Sequence, residues 1–437
     1  MKTVARRTGT AMASQNAASG TQLLFAAFLF AFLAGAISVA ANKDVTRGFD
    51  ELAHASYVAE IQRTGDPWPR LEQMRMLDPV DFRFVGDGNY LNHPSLFYLP
   101  FATLGPRLEN QPGVIYWHRM GNVVIGLAAV AVVLALGLIA GLSKLEFVAL
   151  GVPIVSIPAL TPLAGSINND NLAFLGGAVA VTAAYGLLSD GRFRWLAAML
   201  GGLILASAAK LTGLLLVGGF VVAVLAYLFW KRRLPRSWLP VVGIATILAV
   251  LPYFVFAYQY GSVAPNTPAQ LEMLRAGAQA MGWADAPRMN LAAYSLWFFG
   301  SFVAGWMPSL APREPIHYAM LALRLAAVLC AIAGLWIAAR RSLQRRQSPL
   351  DVIVLAGFAA LAGTFVIHVW FSHGRHLETG WLMDAFPRYY FPLAAILPLA
   401  GILVLREVGQ PRLRLGILAI LIVGPLLFRV FGAPIAS

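Results

Sequence analysis

The sequence predicts an all-α, polytopic integral membrane protein, and three observations support this fold class. The 437 residues are 59% hydrophobic and 12% charged, which is about half the charge of a soluble domain. The mean hydropathy is +0.68. The chain also has 40 Gly and 26 Pro, which helices in lipid tolerate better than helices in water do. This composition excludes an ordinary soluble enzyme.

Apolar runs long enough to cross a bilayer, which takes roughly 20 residues, recur along the whole chain. We expect about 11 transmembrane helices, near residues 21–41, 120–141, 145–162, 172–188, 193–209, 211–230, 238–258, 319–338, 350–370, 390–405 and 413–431. The first run is too long for the apolar core of a signal peptide and is expected to remain as an anchor. Residues 1–437 are therefore expected to form a single transmembrane domain.

Positive charge predicts how the helices are oriented. The chain has 33 Lys and Arg against 20 Asp and Glu, a net charge of +13, and short cytoplasmic connections of membrane proteins are rich in Lys and Arg. With the N-terminus in the cytoplasm, just over half of the basic residues fall in such connections. We therefore expect a bacterial cytoplasmic (inner) membrane protein, and no nucleic-acid partner is needed to explain the charge.

Three longer segments fall on the opposite face, which is expected to be periplasmic: residues 42–119, 259–318 and 371–389. The first contains half of the chain's 20 carboxylates together with many aromatic and aliphatic residues. A loop needs charge to stay hydrated, which is one explanation. Its length and apolar content favour another, a folded periplasmic loop that carries a polar active site.

Asp50, Glu51 and His54 follow the first apolar run and are candidate catalytic residues. On a helix, Asp50 and His54 share one face, and a carboxylate at the end of a membrane helix can accept a proton from an acceptor hydroxyl. Alternatively, Asp50 caps a helix and Glu51 interacts favourably with the helix dipole. The residues alone leave both interpretations open.

Metal and cofactor requirements are not determined by the sequence. Glu51 and His54 have the Glu-x-x-His spacing of di-metal carboxylate sites, but a second convincing copy is missing, so a di-iron site is not expected. The metal is unknown, although a single divalent cation is compatible with these residues. The one cysteine, Cys330, lies in an apolar run and predicts neither a disulfide nor a cysteine metal site.

His93, Asn169 and Asp170 are candidate substrate-binding residues. His93 lies in a polar segment that leads into Phe97 and Tyr98, whose aromatic side chains favour simple anchoring at the membrane interface. Asn169 and Asp170 belong to a short turn rich in hydrogen-bond acceptors, for which an N-cap of the following span is the favoured interpretation. The same turn can also present a carboxylate to a cavity.

Lys210, Arg388 and Arg375 are candidate ligands of a donor phosphate. Lys210 separates two apolar runs near the outer boundary of the hydrocarbon, where it can snorkel or bind a lipid phosphate. Arg388 begins a span and is followed by Tyr389, which suits either an interfacial belt or the recognition of phosphate and sugar. The basic residues of the last loop, including Arg375 and His373, favour anion binding. His373 and Tyr389 are further candidates for substrate binding.

Taken in order, these motifs resemble those of the GT-C superfamily of membrane glycosyltransferases, and most closely a group of bacterial predicted membrane proteins with an Asp-Glu-x-x-His motif. The matching residues are Asp50-Glu51 with His54, His93-Pro94 with Leu96 and Tyr98, Asn169-Asp170, Lys210-Leu211-Thr212-Gly213, and Arg388-Tyr389 with Pro392. They are spread over nearly the whole chain. Members with two prolines and a following aromatic in the second motif differ from His93-Pro94-Ser95 here.

The resemblance implies a GT-C-like fold and an inverting transfer of a sugar from a polyprenyl-phosphate-linked donor to an acceptor at the outer leaflet. It implies Asp50 as the general base and Lys210 with Arg388 as ligands of the lipid phosphate. The expected partners are the lipid donor, membrane lipid and an acceptor that is a glycan, a lipid or a protein. The sugar and the acceptor class stay open.

Two other functions are compatible with the sequence. A transporter or flippase for a lipid-linked sugar usually has internal repeats and ionisable residues near the membrane midplane. No repeat is recognised here, and the candidate residues gather at one boundary. A non-catalytic assembly partner with the same fold is the other alternative.

Overall fold

The computed structural model describes residues 2–305, 315–382 and 386–431. The protein is all-α, with 75% helix, apart from one small hairpin. The helices are α1 (Lys2–Asn42), α2 (Glu51–Thr64), α3 (Leu99–Leu104), α4 (Ile115–Ile139), α5 (Lys144–Val155), α6 (Leu160–Ala164), α7 (Asp170–Asp190), α8 (Phe193–Ala209), α9 (Leu211–Trp230), α10 (Leu239–Tyr260), α11 (Pro268–Ala280), α12 (Leu291–Gly305), α13 (Pro315–Leu343), α14 (Pro349–Thr379), α15 (Ile396–Glu407), α16 (Pro411–Leu418) and α17 (Gly424–Phe431). The strands are β1 (Arg75–Leu77) and β2 (Phe84–Gly88), which pair antiparallel. A 3-10 helix at Pro387–Leu393 precedes α15, and a π-helical turn at Ala419–Val423 joins α16 to α17.

Several of these helices are long and apolar enough to cross a membrane, so the chain is an integral membrane protein. Within the described residues there are seven such helices, at Gly20–Asn42, Pro112–Ile139, Asp170–Asp190, Leu211–Trp230, Arg236–Tyr260, Ala322–Leu343 and Pro349–Thr379. The bent pair Pro387–Leu393 and Ile396–Glu407 raises the number to eight if it forms one span. The structure thus supports seven or eight spans rather than the expected 11.

Breaks within apolar runs account for the difference. The expected span at 145–162 is divided into α5, with 12 residues, and α6, with 5. Pro158 lies between them, and proline disfavours helix both at its own position and at the residue before it. The expected span at 193–209 is α8, which has 17 residues. The expected span at 413–431 is divided among α16, the π-helical turn and α17.

Helix α7 is the most buried of the spans and brings several elements together. It packs against α4 and α8 and also against Pro387–Leu393. Gly176 permits the close approach of α8, because an added Cβ would meet the backbone of that helix. Gly177 does the same for Pro387–Leu393, since its Cβ would overlap the carbonyl oxygen of Pro392. Two adjacent glycines therefore allow α8 and the 3-10 helix to pack closely against α7.

The segment between α1 and the second span, residues 43–111, is folded. Its elements α2, β1, β2 and α3 enclose a core of their own that includes Tyr57 and Tyr98. Tyr253 and Phe256 of α10 complete this core and fix the segment to the helix bundle. The hairpin is the one regular feature of this segment that departs from the expected all-helical fold.

Candidate functional site

The chain reverses direction between α1 and α2, and this turn positions Asp50. Gly48, Phe49 and Asp50 all have left-handed backbone conformations, with φ of 77°, 63° and 58°. Such values are unfavourable for Phe and, to a lesser degree, for Asp, so surrounding contacts must hold the turn. Asp50 occupies the N-cap position of α2, yet its side chain makes no capping hydrogen bond. The capping interpretation of Asp50 is therefore wrong, and its carboxylate is available for other contacts.

The Asp50 carboxylate lies between a cation and a phenol. Arg388 Nη2 donates to Oδ2 at 2.7 Å, and Tyr90 OH donates to Oδ1 at 3.1 Å. Burial alone would raise the pKa of Asp50, but the charge of Arg388 and the hydrogen bonds from Arg388 and Tyr90 oppose burial, and the pKa is lowered. The side chain is still 37% exposed. An ionised and accessible carboxylate therefore faces the site.

Lys210 lies at the junction of α8 and α9, where a single residue of extended backbone separates the two helices. Its ammonium forms an ion pair with Asp170 at the start of α7. Asp170 Oδ2 also lies 3.9 Å from Arg388 Nε, and the Tyr389 ring centroid is 4.3 Å from Lys210 Nζ. Asp50, Arg388, Asp170 and Lys210 thus form a continuous series of neighbouring charges. We call these four residues the charge cluster.

Arg388 has hydrogen-bonding capacity that its neighbours do not use. Its side chain is 10% exposed, and within the described part of the chain its Nε and Nη1 atoms have no hydrogen-bond partner. The rings of Phe49, Phe386 and Tyr389 surround the guanidinium, with centroids 5.2 to 5.6 Å from Cζ. Nε faces the Asp170 carboxylate at 3.9 Å, whereas Nη1 has no such neighbour among the described residues. Because an unpaired buried N–H group is costly, Nη1 favours an anionic ligand.

Glu51 is adjacent to Asp50 in sequence but points into a different network. It is 1% exposed. Arg119 donates to both of its oxygens, at 2.7 and 2.8 Å, and Lys43 Nζ donates to Oε2 at 2.7 Å. The backbone N–H of Ile167 donates to Oε1 at 3.0 Å. This geometry suits an anchor that fixes α2 to α4 and to the turn before α7 better than it suits the proton acceptor that the sequence indicated.

His54 is buried beside the charge cluster, and its tautomer can be assigned. Asn168 Nδ2 lies 3.3 Å from His54 Nε2, and Tyr98 OH lies 2.8 Å from Nδ1. Two other contacts orient the amide, because Nδ2 donates to Phe49 O at 2.8 Å and Oδ1 accepts from Asp170 N at 2.7 Å. The amide therefore donates to His54 Nε2, and the imidazole proton is on Nδ1. Burial lowers the pKa of His54 to about 3, so the ring is neutral.

His93 and Asn169 also lie at this site. The His93 ring stacks on His54 with 6.0 Å between centroids, and burial lowers the pKa of His93 well below its usual value. Asn169 occupies the N-cap position of α7 without a side-chain capping bond. Its Nδ2 instead donates to Ala209 O at 2.8 Å. Asn169 therefore does not cap α7, and instead it ties α7 to the backbone just before Lys210.

His373 and Arg375 are held mainly by another segment. His373 Nε2 donates to Met289 O at 3.0 Å, and Arg375 Nε donates to Asn266 Oδ1 at 2.9 Å. These contacts fix α14 to the connection between α10 and α12.

Where the structure describes the chain, the residues around Glu51 and His54 show no metal-binding arrangement. Among the described residues, no group of three or more His, Cys, Asp or Glu is arranged to hold a metal ion. Glu51 and His54 do not begin such a group, because Glu51 is fully engaged by Arg119, Lys43 and a backbone N–H.

Four residues of the site were not predicted as functional groups. Tyr98 was expected to anchor the chain at the interface, but it is fully buried and bonded to His54. Tyr90 lies in the same polar segment, and Asn168 precedes the two residues chosen from its turn. Arg119 lies near the start of an apolar run, where ionisable residues are rare, and this rarity is the signal that could have identified it.

Fold and site together define a polytopic membrane protein with a partly buried cluster of two acids and two cations at the ends of its helices. No protein-family model matches the chain. No curated protein is significantly similar to it. The functional conclusion therefore rests on the chemistry of the site.

Proposed function

We propose that the protein is a membrane glycosyltransferase that moves a sugar from a polyprenyl-phosphate-linked donor to an acceptor hydroxyl. The observation that carries this proposal is the 2.7 Å contact between Asp50 and Arg388 in a cluster that also contains Lys210. Asp50 and Arg388 are 338 positions apart, so the fold brings a carboxylate and two cations from distant parts of the chain to one place. The order of motifs that resembles the GT-C superfamily points to the same reaction.

The proposed reaction needs both kinds of group. The acceptor hydroxyl oxygen bonds to the anomeric carbon of the donor sugar, and the bond between that carbon and the phosphate oxygen breaks with inversion. The hydroxyl proton passes to Asp50, and the electron pair of the broken bond stays on the polyprenyl phosphate. Lys210 and Arg388 offset the negative charge that develops on this leaving group.

The surroundings of the two key residues support these roles. Asp50 is ionised and accessible, as a proton acceptor must be. Arg388 has two nitrogen atoms without a hydrogen-bond partner among the described residues, as expected of a group that awaits an anion. The Tyr389 ring beside Lys210 offers an apolar face for a sugar ring or an isoprenoid.

We further propose that the site faces the periplasm of a bacterial inner membrane. Helix α9 spans from Lys210 at one end to a basic segment, residues 231–233, at the other. Its 20 residues cover about 30 Å, the thickness of the hydrocarbon. Because basic connections favour the cytoplasm, Lys210 falls on the opposite side, where a polyprenyl donor in the outer leaflet reaches it.

Replacing Asp50 tests the proposal. The purified protein in lipid nanodiscs is incubated with a panel of polyprenyl-phosphate sugars and with glycan and lipid acceptors, and release of polyprenyl phosphate is measured. We expect Asp50→Asn to lower the rate by at least about 100-fold, because a general base typically contributes 10²- to 10⁴-fold.

The matched control is Asp44→Asn, which makes the same charge change in the same loop. Asp44 is exposed and contacts Thr46, so this variant is expected to keep the wild-type rate. Full activity in Asp50→Asn would remove the residue from the role of base. If the wild-type protein releases no polyprenyl phosphate from any donor, the proposed function is wrong, and translocation of the donor across the bilayer would then favour a transporter.

A further inference from the structure

Both cations of the charge cluster are already paired with carboxylates of the protein. Arg388 donates to Asp50, and Lys210 forms an ion pair with Asp170. The two positive and two negative groups leave the cluster without net charge. A donor phosphate therefore does not enter an open positive pocket, and it has to compete with these carboxylates for the cations.

We infer that the donor phosphate and Asp50 compete for Arg388, so that donor binding frees Asp50 to accept the proton of the acceptor hydroxyl. This inference rests on the proposed function and identifies the event that makes its base available. Asp170 competes with the phosphate for Lys210 in the same way, because its carboxylate pairs with the ammonium to which a phosphate oxygen would bind.

The hydrogen bonds of Arg388 support this competition. Asp50 uses Nη2, and within the described residues Nε and Nη1 have no hydrogen-bond partner. A phosphate oxygen bound at Nη1 would share the guanidinium with Asp50 and lie close enough to its carboxylate for the two negative charges to repel.

The two carboxylates differ in how easily they can yield their cation. The Asp50 side chain is 37% exposed and stands on a turn outside the helices. Asp170 is 4% exposed and is built into the first turn of α7. Asp50 is therefore the group that moves away when a phosphate arrives, and its displacement is towards the exposed side from which an acceptor reaches it.

A shared guanidinium also fits the movement of charge in the reaction. Before transfer, Asp50 carries a negative charge and the phosphate is a singly charged diester. After transfer, Asp50 carries the proton, and the phosphate has gained the negative charge. Charge thus passes from one partner of Arg388 to the other, and the total charge of the site does not change during the step.

Binding of undecaprenyl phosphate, without any sugar, tests the inference. Affinity is measured by microscale thermophoresis on the full-length protein in nanodiscs of zwitterionic lipid. We expect Asp50→Asn to bind this lipid on the order of tenfold more tightly than the wild type, because a charged competitor for Arg388 has been removed. We expect Asp170→Asn to bind the lipid more tightly as well, because it removes the carboxylate that pairs with Lys210. This second variant provides the test if Asp50→Asn does not fold.

Two controls separate competition for Arg388 from a general change in charge. Asp44→Asn makes the same charge change at an exposed site and should leave the affinity within about twofold of wild type. In an Arg388→Ala background, the gain from Asp50→Asn should shrink to about threefold or less, because the shared partner is absent.

The outcomes distinguish the inference from the proposed function. Sugar transfer by the wild type, with affinity unchanged or weaker in Asp50→Asn, would overturn the competition alone. Tighter binding in Asp50→Asn, without sugar transfer by the wild type, would support the competition and overturn the proposed function. A wild-type protein that does not bind undecaprenyl phosphate would overturn both.

Discussion

The side chain of Asn168 determines the form in which His54 is buried. Its amide is oriented by Phe49 O and Asp170 N and donates to His54 Nε2. A protonated imidazole would carry a second N–H there, facing the donor of Asn168. His54 is thus held as a neutral ring between α2 and the turn before α7, beside the charge cluster.

This arrangement predicts how stability depends on pH. The pKa of His54 is about 3 in the folded protein, against 6.5 in an unfolded chain. Between these values the unfolded state binds a proton that the folded state does not, so acidification lowers the free energy of unfolding. From pH 6.5 to pH 5 the expected loss is about 1.7 kcal/mol.

The measurement is the melting temperature of the purified protein between pH 7.5 and pH 5, compared with that of His54→Gln. The variant cannot take up the proton, so its melting temperature should fall less on acidification than that of the wild type. Equal pH dependence in the two proteins would contradict the burial of a neutral His54.

At the scale of residues, the sequence could indicate charged candidates but not the partners that each of them contacts. Asp50, Lys210 and Arg388 could be selected because each adjoins an apolar run on the expected outer face. The partner of Glu51 could not be selected, since Arg119 is 68 positions away and meets it only through the packing of α2 on α4. Asp50 and Glu51 are therefore equivalent candidates by sequence, whereas their surroundings in the fold differ completely.

At the scale of elements, the contact between α7 and Pro387–Leu393 positions Arg388 relative to Asp170. Gly177 makes this contact close, because an added Cβ would overlap Pro392 O. We expect Gly177→Ala to push the 3-10 helix away from α7, lower stability by at least about 2 kcal/mol and weaken binding of polyprenyl phosphate. Thermal unfolding and lipid-binding measurements on the same preparation test both effects.

Gly201→Ala in α8 is the matched control for this substitution. An added Cβ at Gly201 meets no atom within 4 Å, and alanine favours helix over glycine. The control should keep or slightly raise the melting temperature and should bind lipid as the wild type does. A Gly177→Ala protein indistinguishable from this control would show that the close contact is not needed.

The boundaries of the helices were predicted less accurately than the fold class. Apolar composition identifies segments that avoid water, but it does not register where a helix breaks. The run 145–162 is mostly apolar, yet it is interrupted at Pro158, between α5 and α6. The bend of 60° after Pro387–Leu393 likewise depends on how this segment packs against α7.

At the scale of the whole molecule, the distribution of basic residues predicts its orientation in the membrane. Cysteine labelling can test this, because the chain has a single cysteine, Cys330, which is 7% exposed. In a Cys330→Ala background, we expect Asp87→Cys to react with a membrane-impermeant maleimide from outside the cytoplasmic membrane. Arg346→Cys should react only after the membrane is opened. Both original residues are exposed, and the reverse pattern would contradict the predicted orientation.

The turn at residues 48–50 has a consequence for how the length of this chain can vary. Helix α2 begins directly after it, and the turn consists of three consecutive residues in left-handed conformations, which a residue more or fewer would disrupt. One inserted or deleted position here would carry Asp50 out of reach of Arg388 and turn Glu51 away from Arg119. Natural insertions and deletions should therefore be confined to exposed connections such as residues 231–237, and a homologue with a different count between α1 and α2 is expected to lack the contact between Asp50 and Arg388.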